Sequence, residues 1–120
     1  MERVEGIGGI FFRARDPGAL AQWYHDTLGI DLVPQDATGQ PWISKGGATV
    51  FAPFADDSDY FPARQQVMVN FRVRDLDAML AQLRASGVEP FNEQEMEGIG
   101  RFAHFLDPEG NAVELWEPVG

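Results

Sequence analysis

Five residues near the start of the chain, Phe12-Arg13-Ala14-Arg15-Asp16, recur with one change as Phe71-Arg72-Val73-Arg74-Asp75, 59 residues later. Ala19 then matches Ala78, and Gly29 matches Gly87 after a one-residue slip. An internal repeat covering about half of a chain is a strong constraint, because both copies must then build the same supersecondary unit. Each copy places an apolar, strand-like run before an aspartate and a helical pattern after it. Gly6 to Ala14 reads as the first strand, and Asp16-Pro17 is a good helix start, since a carboxylate accepts from free backbone N–H groups and proline has none to satisfy. Leu20, Trp23, Tyr24 and Leu28 recur at helical spacing and Gly29 is a stop, which predicts a helix over Pro17 to Leu28. In the second copy Val67 to Val73 is strand-like, Asp75 is the cap, and Leu76, Met79, Leu80 and Leu83 form the apolar stripe before Gly87.

After the first helix come candidate short strands at Asp31 to Val33, Pro41 to Ser44 and Ala48 to Pro53; after the second come Glu89 to Phe91, Arg101 to Leu106 and Asn111 to Glu117. The last two flank Asp107-Pro108-Glu109-Gly110, whose proline and glycine suit a tight reversal. Each half is thus β-α-β-β-β. The fold class is α+β, with module one at about 5–53, a linker at 54–64 and module two at about 65–118. The stretch from Pro53 to Arg64, PFADDSDYFPAR, which contains the linker, reads as a solvated connection or as a lid or dimer contact. In the final strand a side-chain period of two brackets Glu114 between Ala112 and Trp116, so its carboxylate lies where burial is costly without a partner.

With 120 residues the chain is one domain by length, able to bury roughly two-thirds of its unfolded surface without a covalent staple. It contains no cysteine, which removes disulfides and thiolate metal sites. No apolar run approaches the roughly 20 residues of a membrane span, and MERVEGIGG lacks a signal-peptide pattern, so a cytoplasmic location is expected. A net charge of −10 repels a phosphate backbone, which argues against nucleic acid and favours cationic ligands.

With FFRARDPGALAQWYHDTLGI near the start and DPEGNAVELWEP at the end, set in two β-α-β-β-β modules, the chain resembles the glyoxalase/bleomycin-resistance/ring-cleaving dioxygenase superfamily, also called vicinal oxygen chelate proteins. The resemblance covers essentially the whole chain. It implies two curved half-sheets forming an open cup with helices outside, and a homodimer. In metal-binding members, ligands sit on the first strand of each module, seven residues before the capping aspartate, and on the last strand of each. The matching positions here are Gly9 and Met68, approximately Thr49, and Glu114. Only Glu114 is a family-type ligand, so no cofactor is expected, with a divalent metal as the lesser expectation.

The resemblance also fixes the strand faces. The inward set is Gly9, Phe11 and Arg13; Met68, Asn70 and Arg72; Phe102, His104 and Leu106; and Ala112, Glu114 and Trp116, joined by Thr49 and Phe51. Ile10, Phe12, Val69, Phe71, Val113 and Leu115 face the helices. Glu114 and His104 are the candidate catalytic pair, since a histidine beside a carboxylate is oriented for proton transfer; a satisfied core histidine is the plainer alternative. His25 falls on the polar face of the first helix. Phe11, Arg13, Phe51, Met68, Asn70, Arg72, Phe102 and Trp116 are the candidate ligand contacts, although the arginines are equally suited to neutralising Glu114 and the aromatics to packing. Three functions remain open: a metal-independent binder of a small organic molecule, a lyase or isomerase of a small oxygenated substrate using Glu114 and His104, and a purely structural dimeric module. A glyoxalase or extradiol dioxygenase proper needs ligands that this sequence lacks.

Overall fold

The computed structural model describes residues 1–120. Helix α1 spans Pro17–Leu28, strand β1 Asn70–Arg72, helix α2 Leu76–Ala85, and strands β2, β3 and β4 span Phe91–Met96, Gly100–Leu106 and Ala112–Pro118. The four strands form one mixed sheet in the order β1-β4-β3-β2. β1 runs parallel to β4, opposite Glu114 to Trp116, whereas β3 pairs antiparallel with both β4 and β2. The second half of the chain is therefore one complete β-α-β-β-β unit. No helix is long and apolar enough to cross a membrane.

Local chemistry explains both helices. Asp16 and Asp75 each accept a hydrogen bond from the backbone N–H three residues on, at 3.1 and 3.0 Å, and Gly29 ends α1 in the left-handed conformation (φ 75°) that a side chain would oppose. Glu117 reaches from β4 to accept the Leu76 N–H at 2.8 Å, tying the start of α2 to the sheet. Leu76, Leu80 and Leu83 then pack on Ala103, Phe105, Val113 and Leu115, the helix-facing side of β3 and β4. This matches the alternation expected for these strands, with Phe102, His104 and Glu114 on the opposite face.

The hairpin turn forms where Pro108 and Gly110 place it, but its centre is the side chain of Asp107, 4% exposed. One carboxylate oxygen accepts from the backbone N–H groups of Glu109 and Asn111, and the other from Asn111 Nδ2 and the Tyr24 hydroxyl at 2.8 Å. Glu109 in the same turn accepts from the N–H groups of Arg15 and Asp16. Helix α1 is thus fastened to the second half by both ends of one turn. Burial and the Asp107 carboxylate drive the Tyr24 phenol far above its ordinary range.

Several expected strands differ. Gly6 to Ala14, Asp31 to Val33, Pro41 to Ser44 and Ala48 to Pro53 make no ladder within the chain; Val67 to Val73 shortens to Asn70–Arg72, and Glu89 to Phe91 moves on to Phe91–Met96. A strand is stable only when a neighbour takes its N–H and C=O groups, and where the first half approaches β1 the contacts are side-chain ones, Trp42 on Phe71 and Arg72 on the Lys45 carbonyl, with no backbone ladder. Their apolar side chains stay bare: Phe11 is 96% exposed, Val50 72% and Phe51 90%.

The core and the turn make separable contributions. Leu83, which has no exposed surface, should cost about 2–5 kcal/mol on replacement by alanine. Asp107→Ala strands the Tyr24 hydroxyl and two backbone donors and should cost about 2–4 kcal/mol. Urea unfolding of both variants checks this, and Asp107→Ala alone should loosen α1 in amide exchange.

Candidate functional site

Glu114 lies at the middle of β4, flanked by β1 on one side and β3 on the other, with 7% of its surface exposed. The register sets Asn70 and His104 directly opposite it on those two strands. Both use that position. Asn70 Nδ2 donates to Glu114 Oε1 at 2.7 Å, and His104 Nε2 donates to Oε2 at 2.8 Å. A third donor comes from the segment between the halves, where the Tyr60 hydroxyl donates to Oε2 at 2.5 Å. A buried carboxylate needs this many partners to remain charged.

The outer layer is polar and amide-rich. Asn92 Nδ2 faces His104 Nδ1 at 3.3 Å. Gln94 Nε2 donates to the Tyr60 oxygen at 3.1 Å. The rings of Tyr60 and Phe91 meet the imidazole edge-on at 5.1 and 5.6 Å, and Phe102 stacks parallel to Trp116 at 6.0 Å. Trp116 donates its indole N–H to the Ile99 carbonyl at 3.1 Å. The face is a flat aromatic wall with one charged acceptor set into it.

Burial alone would raise the Glu114 pKa, but the hydrogen bonds from His104, Tyr60 and Asn70 outweigh it and hold the carboxyl below its ordinary 4.5. Tyr60 moves the other way: burial and then the Glu114 charge push its phenol up to about 12. Glu114 is therefore an ionised acceptor across the neutral range, and Tyr60 a permanent donor.

Glu114, His104 and Asn70 come together as the sequence suggests, and Phe102 and Trp116 line the same face. The arginines do not neutralise Glu114. Arg72 donates instead to the Lys45 carbonyl at 3.0 Å, and Arg13 is exposed. Arg72 sits opposite Trp116, two residues beyond the level of the carboxylate, which takes its three donors from Asn70, His104 and Tyr60. Met68 is half-buried, but Phe11 and Phe51 stand in the open and do not reach the site within this chain. His25 is on the surface beside Asp26, as its helical position implies. Tyr60 is the residue that sequence reasoning missed. The signal for it was a tyrosine between Phe54 and Phe61 in a stretch otherwise rich in aspartate, where a solvated connection needs no aromatics.

No group of three or more histidine or carboxylate side chains converges anywhere in the structure. At the Glu114 face the donor set is one imidazole and one carboxylate bonded to each other, a poor fit to the three protein ligands that a catalytic divalent ion wants. Two sizeable hollows, of about 510 and 390 Å³, lie elsewhere, one beside the β2–β3 turn and one between α1 and Pro108. Neither borders Glu114.

The family model for the glyoxalase-like domain matches residues 9–116. The chain belongs to the glyoxalase-like domain family. Among solved structures, this glyoxalase-like protein is similar to TnmS3, an antibiotic binding protein from Streptomyces sp. CB03234, at 28% identity and a TM-score of 0.56, over 87% of this chain and 88% of that one. It shares its fold with the fosfomycin resistance protein FosX from Listeria monocytogenes, at 17% identity and a TM-score of 0.63, over 98% and 96% of the two chains. A glyoxylase/bleomycin resistance protein/dioxygenase domain from Frankia sp. EAN1pec shares it too, at 18% identity and a TM-score of 0.61, over 98% and 100%. No curated protein matches.

The titrations give signs for stability against pH. The Glu114 pKa is lowered in the folded state, so its contribution is complete above about pH 4.5 and is lost as pH falls through the folded value. The Tyr60 pKa is raised, so its contribution is complete below pH 10 and is lost between 10 and about 12. Urea midpoints across the acid range should therefore fall for the wild type and fall less steeply for Glu114→Gln. In the alkaline range Tyr60→Phe should flatten the decline.

Proposed function

We propose that this glyoxalase-like protein binds a small organic molecule without a metal, in a cup that a second copy of the chain completes. The observation that carries the binding reading is the Glu114 carboxylate, ionised and triply hydrogen-bonded on an aromatic face. Such a group recognises a ligand's hydrogen-bond donor, while Phe102 and Trp116 suit a flat apolar body. The acidic chain favours cationic ligands. The antibiotic binding of TnmS3, at 28% identity, supports the same class.

The area and dimensions of the single chain support the second copy. It exposes 9304 Å², against about 6,450 Å² for a compact protein of this mass. Its radius of gyration is 15.3 Å, against about 13.6 Å for a compact chain of this length. The excess of roughly 2,850 Å² per chain, about 5,700 Å² for two, is at the upper end of the scale of obligate dimer interfaces. The outer edge of β1 and the bare first-half segments, with Phe11 and Phe51, are complementary parts of that interface: the repeat makes each half a partner for the other.

A lyase or isomerase is the second reading, with Glu114 as base and His104 as its partner. The same three donors count against it, because they lower the basicity of the carboxylate that would take the proton.

Light scattering and small-angle scattering on untagged protein should give twice the 13.3 kDa chain mass and a more compact particle per chain; a stable monomer refutes the shared cup. Elemental analysis after exposure to nickel, zinc, manganese and iron should show well below one equivalent. Native mass spectrometry against panels of small aromatic amines and hydroxylated aromatics should find a retained ligand, and Glu114→Leu should weaken it about tenfold or more. Efficient turnover abolished by Glu114→Gln would instead establish the enzyme.

A further inference from the structure

The segment at 54–64 is built unlike either half it joins. Its far end is pinned: Arg64 Nη2 donates to the Gly110 carbonyl at 2.8 Å, and Gln65 pairs reciprocally with the backbone of Ala112, accepting its N–H at 2.9 Å and donating to its carbonyl at 2.8 Å. Before that point the backbone hydrogen bonds are local, Ser58 N–H to the Ala55 carbonyl and Gln65 N–H to the Pro62 carbonyl. Phe54 packs on Tyr60 and Phe61 with centroids 5.6 Å apart in both pairs, and the Tyr60 ring also meets His104 edge-on at 5.1 Å. The polar link from the strap to the sheet is the Tyr60 hydroxyl, on Glu114 and under Gln94.

We infer that Tyr60 is a latch and a specificity-determining residue: its hydroxyl holds the place on Glu114 Oε2 that a ligand's O–H or N–H donor takes, and the strap swings on its pinned Arg64–Gln65 end as the exchange occurs. This deepens the binding function and rests on it. The exchange is close to balanced for a donor-bearing ligand, since one hydrogen bond to a buried carboxylate replaces another. A ligand without a donor leaves Oε2 one partner short and binds only against that loss. The site therefore takes phenols, alcohols or ammonium groups carried on a flat apolar frame and rejects the bare hydrocarbon. Tyr60 also acts through Glu114 as a positioning residue, because with His104 it fixes the orientation of the shared oxygen.

The strap supplies its own reporter, with Asp56, Asp57 and Asp59 before Tyr60. An Asp-specific endoproteinase cuts an opened strap at a rate set by the open population, and Asp31 and Asp36 serve as internal controls. Tyr60→Phe keeps the ring and its packing and removes the latch. It should speed cleavage at the strap about tenfold or more, with the control sites unchanged. In the same variant the Glu114 carboxyl, followed by carbon NMR, should titrate at higher pH. Phenol and benzylamine should open the wild-type strap to cleavage and bind Tyr60→Phe about tenfold more tightly than wild type, whereas toluene should do neither. Equal strap cleavage in the two proteins, an unmoved Glu114 titration, or weaker phenol binding to the variant overturns the latch. Faster cleavage and a moved titration in Tyr60→Phe with no probe bound by either protein establishes the latch and overturns the pocket reading and the displacement with it.

Discussion

A negative charge buried on an inner strand of the sheet sets the terms for everything around it. Glu114 cannot remain ionised there without donors, and one strand cannot supply them. They arrive from three separate pieces of chain, Asn70 on β1, His104 on β3 and Tyr60 on the strap. Two of those pieces are placed by sheet register and the third by its own side chain. Satisfying one carboxylate thus fixes the parallel β1–β4 pairing, the β3 alignment and the position of the strap relative to both.

The opposite side of the same strand obeys a simpler rule. Val113 and Leu115 turn towards α2, where three leucines cover them, and apolar area decides the packing. The two faces of β4 differ in kind although both are buried: one is closed by hydrocarbon and cannot admit a ligand, and the other is closed by exchangeable hydrogen bonds. The proposed binding function uses the second.

What the sequence disclosed follows from the range of the forces involved. Helix starts and stops, the Asp107–Gly110 turn and the side assignment of β3 and β4 depend on residues within a few positions of each other, so α1 lies at Pro17–Leu28 as its caps indicate. The repeat made the order of elements legible for the same reason. Pairing of the first-half segments is different, because a strand-like composition does not say which edge will receive it, and within one chain none does. The alternative in which Arg13 and Arg72 neutralise Glu114 assumed that charge must answer charge; Asn70, His104 and Tyr60 supply the donors instead. Tyr60 was hidden because a loop residue has no periodicity to betray where it points.

The fastening of α1 has a consequence for how the protein is made. Tyr24 meets Asp107, 83 residues away, and Arg15 meets Glu109, 94 residues away, so the first helix docks on the last turn of the fold. Synthesis releases the chain from its N-terminus, and α1 emerges long before its seat exists. The second half, whose hairpins and α2 are local, assembles as a unit and presents that seat only at the end. Until then the bare aromatics of the first half must survive in solution with little help from charge, since residues 1–53 carry six acidic against four basic side chains.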